Sequence, residues 1–269
     1  MAALALVLVA CGDDDDDDAG GAAATSAPTT EAAGAAPEEP EFGYEGELGP
    51  ENWGELSDEW NLCAEGTAQS PIDLTAATEE NIADIGFDYA ESALNIYNNG
   101  HTIEVEYDDG SSIDLDGQTY DVDQFHFHAG SEHTVDGQQS AMELHIVHRT
   151  PQDELAVVGV LIETGAENAA LAPVFEHIPT EVSEESEGPV EGEAVNLAEV
   201  LPDTQTYFQY VGSLTTPDCS EEVSWQVLDT PIEISQEQLD AFTAVVDGNF
   251  RPSQPLGDRD LVHDTGPDA

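Results

Sequence analysis

The 269-residue chain has no lysine and only three arginines, Arg149, Arg251 and Arg259. Against them stand 59 Asp plus Glu, giving a formal net charge of −56 at pH 7. A surface so poor in cations repels phosphates, which argues against nucleic acid as a partner. Cysteine is scarce too, at three residues, and no apolar run is long enough to span a bilayer. There is no internal repeat and no histidine-rich loop.

Acidity of this order with few aromatics can keep a chain unfolded. Here Trp, Tyr, Phe, Val and Ile instead gather in periodic runs from about Phe42 onward, so a folded domain with an acidic shell is expected. Self-repulsion among so many carboxylates is tolerable where salt screens it, and at molar ionic strength the Debye length falls to about 3 Å. A halophilic setting follows as an expectation.

Residues 1–11 are almost wholly apolar and end Leu8-Val9-Ala10-Cys11, which resembles the lipobox of bacterial and archaeal lipoproteins. That resemblance implies export, cleavage before Cys11, lipidation of its thiol and a membrane contact through that anchor alone. The stretch lacks the positive segment of a complete signal peptide, so its start is expected to be truncated. Residues 12–41 hold an Asp run, Asp13 to Asp18, then Ala, Gly, Thr, Pro and Glu without periodicity, the composition of a disordered tether. One catalytic domain is expected over 42–263, with a tail at 264–269.

Within the domain, strand-like alternation prevails, as in Thr102 to Tyr107 and Gln124 to His128, with turn signals at Asp109-Gly110 and Asp136-Gly137. The apolar run Leu155 to Ile162 reads as a central strand. Short helices are expected at 167–177, 196–200 and 236–246, the last introduced by Ser235 as N-cap. The fold class is mainly β, one domain with peripheral helices.

Chemistry concentrates in Gln124-Phe125-His126-Phe127-His128 and Met142-Glu143-Leu144-His145. Residues two apart in a strand share a face, so His126 and His128 point one way and the phenylalanines the other. A return at Asp136-Gly137 would lay His145 beside them. Three imidazoles leave a tetrahedral Zn²⁺ one open position, the mark of a catalytic rather than a structural site. Iron is disfavoured because no carboxylate completes a facial triad, while ligand count leaves cobalt and copper open. Gln124 and Glu143, each two residues before a ligand, are placed to orient ligand imidazoles.

With these residues goes a resemblance to the α-class carbonic anhydrases over about 42–259. It rests on Gln69-Ser70-Pro71-Ile72-Asp73, Asn98-Asn99-Gly100-His101, Ser131-Glu132-His133-Thr134 with the histidine region, Gly212 to Pro217, and Arg251 to Leu256. The resemblance implies a large twisted, predominantly antiparallel sheet with Zn²⁺ at the base of a cleft. It implies reversible hydration of CO₂ to bicarbonate by attack of zinc-bound hydroxide.

By the same resemblance Thr215 orients the nucleophile and passes its hydrogen bond to an ionised Glu132. His101 would relay the proton to buffer, and Val147, Val157, Leu214, Thr216 and Trp225 would line the CO₂ pocket. Cys63 and Cys219 match a disulfide common in extracellular members of the family. His133 and His148 read as structural; His177 and His263 receive no role.

Three departures stand out. Asp218 replaces a second proline after Pro217, Ala129 replaces a bulkier residue, and Glu104 stands where a neutral amide is usual. Carboxylates near His101 are expected to favour its protonated form and to repel bicarbonate. Two further readings compete with the enzyme: a catalytically silent binding or adhesion lipoprotein of the same fold, and a surface lipoprotein that captures zinc. The retained histidines, Glu132, Thr215 and His101 weigh against both.

Overall fold

The computed structural model describes residues 40–183 and 185–266. The expected leader with Cys11, nearly all of the tether, and 267–269 lie outside them.

An eleven-stranded sheet organises the described residues. Its central strands run in spatial order Tyr207–Ser213, Glu221–Ile234, Leu155–Thr164, Met142–Arg149, Gln118–Ala129 and Ile103–Glu106. Leu155–Thr164 lies parallel to Glu221–Ile234, and Thr78–Glu80 parallel to Val262–Asp264; the other paired strands are antiparallel. The result is the mainly-β single domain expected, with a mixed, predominantly antiparallel sheet and short helices.

Local sequence explains the central elements. Leu155–Thr164 is buried from residue 156 to 162, and its Val, Leu and Ile suit a strand flanked on both edges. Phe125 and Phe127 are fully buried in the larger apolar core, with Leu144, Ile146 and Val158. The alternate residues of the same strands face the other way, into the site. Asp136 and Gly137 both adopt positive φ, 52° and 68°, and close the hairpin of Thr134–Val135 with Gln138–Gln139.

The helices are shorter than the pattern suggests. The segment expected at 167–177 is helical only over Ala172–Glu176, with Pro173 in its first turn. Proline has no N–H to donate and its ring clashes with the carbonyl four residues back, which bars the helix from reaching further toward 167, and Asn168 Oδ1 holds the preceding turn through Leu171 N–H at 3.2 Å. The last helix is Gln236–Thr243, where Ser235 and Gln238 form a reciprocal capping box.

Cys63 and Cys219 are joined in a disulfide. Such a bond fits folding in an oxidising, extracytoplasmic compartment. The expected membrane attachment needs correction. Both cysteines of the described residues are consumed by this internal bond, leaving neither thiol for a lipid, and no described helix is long and apolar enough to cross a membrane. Cys11, on which the anchor was placed, lies outside the described residues, and the anchor is not retained.

The disulfide closes a loop of 156 residues. On chain-entropy grounds a loop of that size is worth about 5 kcal/mol, with native distortion reducing the yield. Replacing both cysteines by serine is expected to cost about 3–5 kcal/mol, read as a lowered urea midpoint. An unchanged midpoint would show that the bond adds no stability.

Candidate metal centre

The register between Gln118–Ala129 and Met142–Arg149 builds the centre. His145 lies directly opposite His126, and Glu143 opposite His128. Ligand atoms of His126, His128 and His145 fall within 4.8 Å of one another. Ring centroids are 5.1 Å apart for His126 and His128, and 4.5 Å for His128 and His145.

Each ring is held by its other nitrogen. His126 Nδ1 pairs with Gln124 Oε1 at 2.8 Å, and His128 Nδ1 donates to the Asn249 carbonyl at 2.7 Å. His145 Nε2 sits 3.0 Å from Glu143 Oε1, within ion-pair range but off the line of a good hydrogen bond. Gln124 and Glu143 thus each lie against a ligand imidazole. The Asn249 carbonyl was not anticipated, because it comes from a coil segment with no periodic pattern.

The residues fit a resident Zn²⁺. His128 Nε2 is buried with no partner, a cost of about 1–3 kcal/mol unless a ligand satisfies it. Burial, the first cause in each case, lowers the pKa of all three histidines, that of His128 to about 4. They are therefore neutral at working pH, the form that binds a metal. All-imidazole ligation with no sulfur and one position to spare suits catalytic zinc.

Glu143 ties this centre to the fold. Its Oε2 accepts from the Glu132 and His133 N–H groups at 2.8 Å each, and its Oε1 pairs with His133 Nδ1 at 2.7 Å. Burial alone would raise its pKa; His133 and His145 beside it hold it well below the usual range. His133, expected to be structural, passes the chain on through Nε2 to Tyr210 Oη at 2.7 Å. Tyr210 Oη in turn bonds Ser70 Oγ at 2.8 Å, and a Cβ on Gly212 would collide with that serine oxygen.

Glu132 is fully buried, and its Oε1 accepts from the Arg251 N–H at 2.7 Å. Burial raises its pKa to about 7, opposed by His145, the Arg251 N–H and the Thr215 hydroxyl. Thr215 therefore lies close enough to favour the charged carboxylate, although Oε2 has no hydrogen bond of good geometry. A divalent cation among the imidazoles would add to that support for the anion. Arg251 is itself buried, its guanidinium spent on Gln69 Oε1, Ser70 O and Cys63 O.

Val147, Val157, Trp225 and Leu214 pack in one apolar cluster beside the centre, joined by Val223, which the sequence reading did not include. Trp225 stands edge-on to His145 with centroids 4.9 Å apart. Thr216 follows in the same loop, its carbonyl accepting from Cys219 N–H at 2.8 Å.

His101 is half-buried and stacked on Phe42, centroids 3.8 Å apart and planes 9° from parallel. Burial lowers its pKa, the reverse of the shift expected from neighbouring carboxylates. The reason is local: Glu104 is engaged by Tyr97 Oη at 2.6 Å and Asn99 Nδ2 at 3.1 Å, not by the imidazole.

A three-imidazole centre with one position to spare, on a large mixed sheet with an apolar wall and a buried carboxylate, is the site of a metal-dependent enzyme. The sequence model for eukaryotic-type carbonic anhydrase matches residues 48–265, and the chain belongs to that family, the α-class carbonic anhydrases. It is 41% identical over 226 residues to a carbonic anhydrase of Nostoc sp., covering 82% of this chain and 85% of that one. A carbonic anhydrase of Pectobacterium carotovorum is 39% identical, with 82% and 90% covered. Among solved structures, the α-carbonic anhydrase of Thermovibrio ammonificans in complex with the inhibitor sulfanilamide superposes with a TM-score of 0.80 at 38% identity, over 84% of this chain and all of that one. Fold, family and triad together support CO₂ hydration with a Zn²⁺ cofactor.

Since Glu143 orients His145 and is itself held by three partners, Glu143→Gln is expected to weaken zinc binding about 10–100-fold. Competition with a chromogenic chelator measures this. Wild-type affinity in the variant would remove Glu143 from the metal's support.

Proposed function

We propose that the chain interconverts carbon dioxide and bicarbonate in a saline extracytoplasmic compartment, with Glu132, Thr215 and His101 as the groups that steer the chemistry. The observation that carries the reading is the triad of neutral imidazoles, His128 and His145 buried and His126 half-buried, each with a separate partner beside its other nitrogen. Zn²⁺ held there supplies Lewis acidity that brings a bound water's pKa to about 7, a value established for this enzyme class rather than obtained from this chain.

The chain's own groups divide the remaining work. With its hydroxyl turned toward Glu132, Thr215 would keep its oxygen free to accept a hydrogen from the nucleophile and turn a lone pair toward substrate. Glu132 performs this only when ionised, and the Arg251 N–H favours that state. Val147, Val157, Leu214 and Trp225 offer CO₂ a wall without hydrogen-bonding competition, and Thr216 lies at its edge. His101 takes up a proton and releases it to buffer, its half-buried ring stacked on the Phe42 face.

Residues 42–263 are taken as the catalytic domain between an acidic tether and a short tail. Salt screening of the −56 charge is the basis for the saline setting.

Stopped-flow CO₂ hydration on metal-analysed protein tests the function. Activity is expected to track one zinc per chain and to fall at least a hundredfold in His145→Ala, on the scale of losing a metal's activation of water. A zinc-loaded, folded protein without activity would contradict the reading. The same assay across salt tests the setting: stability and rate should rise from dilute toward molar salt, whereas full activity in dilute buffer would exclude halophily.

A further inference from the structure

Glu104 takes no part in the chemistry divided above among Glu132, Thr215 and His101, yet it stands beside the metal centre. Its strand, Ile103–Glu106, pairs with Gln118–Ala129 so that Glu104 lies directly opposite His126. Directly opposed residues project to the same face with Cβ atoms about 4.5–5.5 Å apart. The carboxylate therefore shares the face that carries the ligand imidazoles.

It is also fixed there. Tyr97, its opposite neighbour on Asn95–Asn98, donates from Oη to Oε1 at 2.6 Å, and Asn99 Nδ2 donates to Oε2 at 3.1 Å. Two neutral donors hold the negative charge without cancelling it. No cation does so either. The chain has no lysine. Arg149 pairs with Asp123 and Asp153, while Arg251 and Arg259 donate to amide and main-chain oxygens. Glu106, two residues on, adds a second carboxylate.

An open position on a divalent metal attracts any small anion. A fixed, uncompensated carboxylate one strand away opposes every one of them and leaves a neutral molecule untouched. We propose that Glu104 is a specificity-determining residue that excludes small anions from the metal's open position while admitting CO₂. The same repulsion hastens departure of the bicarbonate product. The inference rests on the metal-centre reading.

Calorimetric titration of zinc-loaded protein at pH 8.5 and fixed ionic strength tests it, with thiocyanate as the anionic probe and phenol as an uncharged one. Glu104→Gln keeps an acceptor for Tyr97 and removes the charge. Unit charges roughly 10 Å apart at an effective dielectric of about 20–30 interact strongly enough to change binding roughly tenfold. Thiocyanate should therefore bind Glu104→Gln roughly tenfold more tightly than wild type, with phenol unchanged and Glu104→Asp like wild type. Glu104→Asn serves the same comparison if Glu104→Gln does not fold. Equal thiocyanate affinity in charged and neutral variants would overturn the proposal while leaving the metal centre intact. Failure of both probes to bind wild type would overturn the metal-centre reading and the proposal with it.

Discussion

The buried carboxylate of Glu143 is the constraint on which the centre depends. A fully buried anion is costly unless its oxygens are satisfied, and here two main-chain N–H groups and His133 satisfy them. Those bonds fix the turn that carries Glu132. The same carboxylate lies against His145, so one residue couples the metal ligand, the buried Glu132 and, through His133 and Tyr210, the Ser70 segment. An isolated metal site could drift with its strands. This one is referenced to three separate parts of the chain.

Much of this was legible from residues alone where sheet geometry converts spacing into direction. The 126/128 alternation put two imidazoles on one face and two phenylalanines in the core, and the Asp136-Gly137 turn set the antiparallel return that brings His145 opposite His126. Gln124 and Glu143 followed from the same two-residue rule. Strand ends and helix lengths were less legible. The alternation at 124–128 says nothing of how far a strand extends, and Pro173 limited a helix that apolar spacing alone would start earlier.

Contacts made by irregular backbone were illegible. The Asn249 carbonyl on His128 and the Arg251 N–H on Glu132 are main-chain groups in a coil, where side-chain identity carries no positional signal. The direction of the His101 shift was missed for a related reason. Charge counting sees the acidic residues nearby, whereas burial of the ring, stacked on a Phe42 distant in sequence, and the engagement of Glu104 by Tyr97 and Asn99 are set by the fold. Charge economy shows the same split: in a chain with three arginines, two are turned toward amide and main-chain oxygens around the site rather than toward surface carboxylates.

X-ray absorption spectroscopy of the zinc-loaded protein tests most directly whether the sheet register makes a three-imidazole centre with one position open. Four light-atom neighbours at about 2.0–2.1 Å, three with the outer-shell scattering of imidazole, is the predicted result. A sulfur neighbour at about 2.3 Å, or a fourth imidazole closing the shell, would contradict it.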